Sequence, residues 1–336
     1  MMVYCALRAL LLLCVLVLPC TSPADCAEIK FKSIEICPSS RIDAIAYFGN
    51  GVVLAGTRAP DPGVIYRSSD YGITWARVGN ITGTDLITCL ASGHDGVGFL
   101  LTGNQAHVWR TEDYGETWED LGKVSGAQNP VFANAYGLLV TSKGTLIVTD
   151  TAPRGGHIYR SLDNGNSWTD LGPISSKPLY RLLEVGDGVV ANGWAGHVYK
   201  SKDDGLTWKD LGHLANSELY AFEYIPPHTI LVGTEKGIIL TSNDNGETWK
   251  DQGHLAPFAD DFVWAGGENV LYSTYAGSRL LYLSENLGAS WISLGNIFHD
   301  CKEDWIDHAI FINEPTHKAI VGGTNNGKIV YSGIPE

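Results

Sequence analysis

Charge is scarce in this chain, and what there is leans to one sign. Charged residues are 18% of 336, with 23 Lys and Arg against 37 Asp and Glu, a formal net charge of −14. No run of five or more basic residues occurs, which argues against nucleic acid and anionic membrane surfaces as partners. Long apolar runs are missing too. The longest, Ala9–Leu18, has about ten residues where a bilayer span needs about 20, so no stable membrane insertion is expected. The cysteines form no Cys-x-x-Cys, no two histidines stand at metal spacing, and no Asp-rich loop ends in the Glu of a calcium hand. Neither a metal nor a cofactor is expected. Outside the N terminus no helical period lasts beyond two turns, and no linker or low-complexity run divides the chain. These absences leave one large all-β domain.

What is present is a repeat. Ser68-Ser69-Asp70-Tyr71-Gly72-Ile73-Thr74-Trp75 returns as Thr111–Trp118, Ser161–Trp168, Ser201–Trp208, Ser242–Trp249 and, more weakly, Ser284–Trp291. The steps from Asp70 to Asp113, Asp163, Asp203, Asp244 and Asn286 are 43, 50, 40, 41 and 42 residues. That period, with four short strands per unit, is what a β-propeller blade needs. Each box lies between two alternating apolar runs, which places it at a hairpin turn. There the Asp accepts from turn N–H groups, the Gly takes positive φ, and the Trp opens the next strand as an apolar wedge. The six box residues Asp70, Asp113, Asp163, Asp203, Asp244 and Asn286 are therefore read as scaffold. Gly, at 39 residues, suits a fold with many tight turns.

On these motifs the chain resembles the Asp-box (bacterial neuraminidase repeat) propellers. That group includes sialidases, sortilin-type receptor domains, xyloglucan-cleaving glycosidases and the photosystem II assembly factor. The resemblance covers nearly all of the chain after its first residues and implies a fold rather than an activity.

Six boxes imply six blades, but three more strands follow the sixth: Trp305–Ile312, Lys318–Gly323 and Lys328–Ser332. The alternating segment Ile29–Ile36 supplies the fourth strand for that last sheet, which closes the ring and removes its open edges. Seven four-stranded antiparallel blades are expected, with six as the fallback.

Residues 1–24 read as a secretory signal: Arg8, then an apolar stretch, then small residues at Ser22 and Ala24. The propeller would occupy 25–336 as a secreted, extracytoplasmic monomer. Cys26, Cys37, Cys89 and Cys301 follow the signal. Cys37 and Cys301 each follow an outer strand, of adjacent blades, so their loops share a face and they are the preferred disulfide. Cys26 and Cys37 are held roughly 30 Å apart by the intervening strand, beyond the reach of a disulfide. Asn80-Ile81-Thr82 is an N-glycosylation acceptor.

The loops after the second and the outer strands share one face, around the mouth of the central channel, and the boxes lie on the other. The mouth collects Arg41, Arg58, Arg181, Trp194, Arg279, Trp305 and Asp307, with Asn192 from a loop after a second strand and Asp43, Asp85, Asp261, Tyr180, Tyr220 and His308 from the starts of inner strands. Arg forks and aromatic faces would suit a saccharide with acidic groups. The reading is a recognition module for a glycan or protein partner. The alternative is a glycosidase or polysaccharide lyase, using carboxylate pairs such as Asp43 with Asp85 or Asp261 with Asp307. The resemblance to sialidases sets Arg41-Ile42 against an Arg-Ile-Pro motif, with Asp43 in place of the Pro. It compares Asp61 with a loop acid, and leaves Tyr275 and Glu235 as positional candidates for the nucleophile and its base.

Overall fold

Each box turn is closed by its own side chains. In the first, Asp70 Oδ1 accepts from the Thr74 N–H at 2.8 Å and from the Ser68 hydroxyl at 2.7 Å, while Oδ2 accepts from the Thr74 hydroxyl at 2.6 Å. The Ser68 oxygen accepts in turn from the Gly72 N–H at 2.8 Å. These bonds hold two consecutive residues in the left-handed region, Tyr71 at φ 62° and Gly72 at φ 93°, and the pattern recurs in every box. In the sixth, Asn286 keeps the geometry with the polarity of one bond reversed: its amide donates to the Ser290 hydroxyl at 2.8 Å.

The computed structural model describes residues 14–16, 29–38, 40–58, 63–80, 86–103, 106–124, 135–150, 155–256, 258–274, 280–295 and 304–333. Within them lie seven antiparallel sheets. Blade one is Ile42–Gly49, Val52–Thr57, Val64–Ser68 and Ala76–Asn80, and blade four is Leu179–Val185, Gly188–Gly193, His197–Ser201 and Lys209–His213. Blades two, three, five and six repeat this order, starting at Ile87, Ala135, Leu219 and Ala259. Blade seven is Ile306–Glu314, His317–Thr324 and Lys328–Gly333, completed by Ile29–Glu35. Lys32 pairs with Tyr331 and Glu35 with Lys328. The chain is thus a seven-bladed all-β propeller, as the repeat arithmetic and the borrowed strand predict, and the six-blade fallback is set aside.

Inner strands lie against one another in sequence, and Ile306–Glu314 meets Ile42–Gly49 to close the ring. The apolar core is divided among the seams rather than the blades. Val321 and Ile312 meet Ile42 and Val53 between blades seven and one, and Ile147 and Ile158 meet Leu179 and Val189 between three and four. Each box Trp is wedged into the seam with the preceding blade, as Trp118 against Leu54 and Ile65. The box Gly approaches that same blade. A Cβ on Gly115 would stand 2.5 Å from Leu54 Cδ1, so the position is restricted by packing as well as by φ.

A second tie crosses the seams in the opposite sense. The residue before the box in blades one to four is basic, and it donates to the carbonyl of the left-handed box residue of the next blade. Arg67 reaches Tyr114 at 2.9 Å, Arg110 reaches Asn164 at 3.3 Å, Arg160 reaches Asp204 at 2.9 Å and Lys200 reaches Asn245 at 2.9 Å. In blades five to seven the same position holds Thr241, Leu283 and Tyr331.

Two further features mark the closure. Cys14–Leu16, inside the segment read as a signal, pairs antiparallel with Ile29–Phe31 as a fifth strand, covering backbone that would otherwise be an open edge. The Cys37 thiol is buried, 3.7 Å from the Ser40 carbonyl oxygen. Its expected partner Cys301 lies outside the described residues. What anchors the closing strand is the turn at Gly327, whose carbonyl accepts from the Ile36 N–H at 3.0 Å and the Cys37 N–H at 3.1 Å.

Gly327 has φ +73°, and a Cβ there would stand 1.7 Å from the Cys37 carbonyl oxygen. Gly327→Ala is expected to destabilise the protein by at least about 2 kcal/mol; an unchanged denaturant midpoint would refute the closure contact. A pH effect follows from the boxes. Hydrogen bonds from the Ser167 hydroxyl and N–H hold Asp163 at about 2, below its unfolded value of about 4. The stability it contributes is present above about pH 4 and is lost as pH falls through about 2. Asp163→Asn should flatten that part of the acid-unfolding profile, read by circular dichroism; a profile superimposable on the wild type's would count against the assignment.

Candidate functional site at the channel mouth

Backbone hydrogen bonds define the face. The Arg58 N–H donates to the Arg41 carbonyl at 2.8 Å, Trp194 to Pro178 at 2.9 Å, Glu235 to Glu218 at 2.8 Å and Asn325 to Trp305 at 3.3 Å. Each joins a loop after a second strand to the segment entering an inner strand. The box turns make the corresponding bonds at the other end, as from the Tyr71 N–H to the Gly51 carbonyl at 2.8 Å.

Every inner strand shifts register at its second residue. The residues left unpaired by these bulges are Asp43, Thr88, Tyr136, Tyr180, Tyr220, Asp260 and Asp307, one per blade. A bulge bends the strand and re-aims a side chain. The ring therefore repeats one bulged position seven times, with acidic side chains at Asp43 and Asp307 near the closure and aromatic ones at Tyr180 and Tyr220 in blades four and five.

At the seam of blades seven and one, five sequence-derived candidates come together. Arg41 Nε donates to Asp307 Oδ2 at 2.8 Å and lies 2.7 Å from Asp43 Oδ1. Arg58 Nη1 donates to Asp43 Oδ2 at 3.2 Å, and Trp305 Nε1 to Asp307 Oδ1 at 2.8 Å. Burial pushes the Asp307 carboxyl up to about 7, with Arg41 opposing and the Asp43 charge adding to the rise. Asp307 is thus a carboxyl group that exchanges its proton near neutrality.

A second cluster reaches across the ring. Arg181 Nη1, from blade four, lies 2.9 Å from Asp261 Oδ1 of blade six, and His308 Nδ1 of blade seven lies 2.9 Å from Asp261 Oδ2. Burial works against the Asp261 charge, but Arg181 and His308 outweigh it and hold the carboxyl below its ordinary value. Glu223 of blade five is pushed well up by burial and by the Asp261 charge, with Arg181 opposing. Sequence reasoning missed Glu223; its signal was a carboxylate inside the apolar run Leu219–Ile225.

The third group is aromatic. Trp194 sits in the short 3-10 turn Trp194–Gly196 and is 45% exposed. Its ring stacks with Tyr180 at a centroid distance of 6.4 Å, and Tyr180 stacks with Tyr220 at 6.2 Å, the planes tilted by 25° and 27°. Tyr220 is 38% exposed, and its hydroxyl donates to Glu218. Asn192 joins the two blades beneath, accepting from the Arg181 N–H at 2.9 Å and donating to the Leu219 carbonyl at 3.1 Å.

Of the remaining candidates, Glu235 is half-buried at the edge of this aromatic group. Asp61, Asp85, Tyr275 and Arg279 lie outside the described residues, and with them the pairing of Tyr275 with Glu235 and of Asp43 with Asp85. Asp261 and Asp307 belong to separate clusters, each with its own arginine. Among the described residues no group of three or more His, Cys, Asp or Glu is arranged to hold a metal ion.

A profile for the BNR-Asp box repeat matches residues 65–78, the first box and its flanking strands. No curated protein matches the sequence. Solved structures share the fold at low identity. YCF48 bound to D1 peptide is 14% identical, with TM-score 0.70, covering 91% of this chain and 97% of that one. A catalytically inactive virginiamycin B lyase from Staphylococcus aureus with quinupristin is 13% identical, with TM-score 0.74, covering 92% and 100%. The GH74 enzyme of Niastella koreensis is 15% identical, with TM-score 0.70, covering 89% of this chain and 53% of that one. The chain is an Asp-box propeller, and these likenesses establish the fold alone.

The acid cluster carries its own test. An acid held above its unfolded value binds its proton more tightly when folded. The Asp307 contribution is therefore full below about pH 4 and is lost as pH rises through about 7. The stability difference between wild type and Asp307→Asn should fall across that window, by at most about 1.4 kcal/mol per pH unit. Urea unfolding at closely spaced pH values measures it, and a constant difference would show that Asp307 titrates normally.

Proposed function

We propose that this chain is a recognition module, exported by the segment 1–24, that holds a glycan or protein partner on the channel-mouth face around Trp194, Tyr180 and Tyr220. The observation that carries the reading is the exposed aromatic row. Aromatic rings open to water, Trp194 on its turn and Tyr220 at a strand bulge, supply contact area for a ligand, at small conformational cost and with a polar handle at the Tyr hydroxyl. The charges of the face point the same way. A sialidase-type site needs arginines aimed at a substrate carboxylate, whereas Arg41, Arg58 and Arg181 each engage a carboxylate of the protein itself. Structures with this fold include one bound to a peptide, which is consistent with binding on such a ring.

A second reading is favoured by Asp307. A carboxyl group near neutrality, beside a second carboxylate on the same arginine nitrogen, is the equipment of acid–base catalysis. Asp43 and Asp307 contact Arg41 Nε at 2.7 and 2.8 Å. They are therefore closer than the ~6.5–9.5 Å of an inverting glycosidase pair, and only a retaining hydrolase or a lyase would fit.

Glycan and peptide arrays probed with wild type and Trp194→Ala test the first reading. Removing the exposed indole should weaken binding about tenfold without altering the melting temperature, and unchanged binding would discard the site. Turnover of a fluorogenic glycoside or a polysaccharide, abolished by Asp307→Asn, would instead establish the second.

A further inference from the structure

Resting on the recognition reading above, we infer that the ligand of the aromatic row is a basic peptide in extended conformation, with Lys or Arg at alternate positions. Three independent observations meet here. The first is spacing. Successive centroids in the row are 6.4 and 6.2 Å apart. Side chains on one face of an extended strand recur every second residue, roughly 6.6 Å apart. The match in spacing would let a peptide running across blades four and five set residues i, i+2 and i+4 beside Trp194, Tyr180 and Tyr220.

The second is the sign of the surroundings. The Tyr220 hydroxyl donates to Glu218, and the Glu218 carbonyl accepts from the Glu235 N–H at 2.8 Å, which brings a second acidic residue to the same ring. Burial, then the Glu218 carboxylate, and more weakly Tyr180 and Glu235, push the Tyr220 phenol upward. Of the cations nearby, Arg181 is paired with Asp261, while Lys236 Nζ donates to the Asn216 carbonyl at 3.2 Å and keeps its charge against those of Glu218 and Glu235. The third is the whole-chain charge of −14, which draws cations from solution. The outward side of the exposed Trp194 ring attracts ammonium and guanidinium groups through its quadrupole, and the Glu218 and Glu235 carboxylates beside Tyr220 attract them through charge. An anionic saccharide meets the opposite field, so the acidic glycan expected from the arginine content is not the ligand for this row.

The test is fluorescence anisotropy with four labelled probes: an alternating Lys-Ser peptide, a peptide with the same Lys count in one block, an alternating Glu-Ser peptide and a chitosan oligosaccharide. The alternating Lys peptide should bind best, more weakly as salt rises. Trp194→Ala should cost about three- to tenfold and Trp194→Phe less, while Glu218→Gln should cost about two- to fivefold and reduce the salt dependence. Indifference to charge sign, or to Trp194→Ala, would overturn the inference. Preference for chitosan would assign the row to an amino sugar and also overturn it, yet leave the recognition reading standing. If no probe binds and the arrays are also blank, both fall.

Discussion

Two consecutive residues at positive φ, pinned by one Asp side chain, are the constraint from which the ring is built. The bonds to Asp70 and its counterparts are charge-assisted, roughly twice as strong as neutral ones, and they hold a turn that an unaided backbone would leave. With the turn fixed, its carbonyl faces the preceding blade, where Arg67, Arg110, Arg160 or Lys200 donates to it. The Arg67, Arg110 and Arg160 side chains are 14–19% exposed, so these ties are partly desolvated and count for more than open surface pairs. The same turn presents its Gly to an aliphatic side chain and its Trp to the seam. One octapeptide thus closes a hairpin and docks it on its neighbour.

The docking weakens in the later blades. The basic residue before the box gives way to Thr241, Leu283 and Tyr331, and Asn286 replaces the sixth Asp. Closure compensates, because Ile29–Glu35 completes the last sheet and Phe31 enters the core between blades six and seven. A strand brought from the other end of the chain covers the edge where local ties are fewest.

The box face is committed to structure, and the recognition reading rests on the opposite one. There the bulge at the second residue of each inner strand repeats one position around the ring, and the residue types at it divide the mouth in two. Near the closure, Asp43 and Asp307 share Arg41, and burial makes Asp307 protonatable near neutrality. In blades four and five the bulges carry Tyr180 and Tyr220, which with Trp194 form an exposed row beside Glu218. Between these regions Arg181, Asp261, His308 and Glu223 tie four blades through the ring interior. Like the box carboxylates, Arg41, Arg58, Arg181, Asp43, Asp261 and Asp307 are occupied with one another, and Trp194 and Tyr220 remain exposed.

The repeat made the architecture legible. Six boxes at a steady period, three box-less strands after them and one alternating segment before them imply seven blades and a borrowed strand, because hairpin turns and strand alternation are written locally. Trp194, Trp305, Arg41 and Asp307 were legible as mouth residues, since position within a repeat determines which face a loop reaches. Their partners were not. That Arg41 would bridge Asp43 and Asp307, that Arg181 would cross to Asp261, and that Tyr180 would stack between Trp194 and Tyr220 depend on seams joining residues up to 266 positions apart. The bulges carry no residue signature, and the sharing of an arginine between carboxylates is decided by distances of a few ångströms. Sequence periodicity therefore determined the ring and its two faces, while the packing of one blade on the next decided which charges cancel and which rings stay exposed.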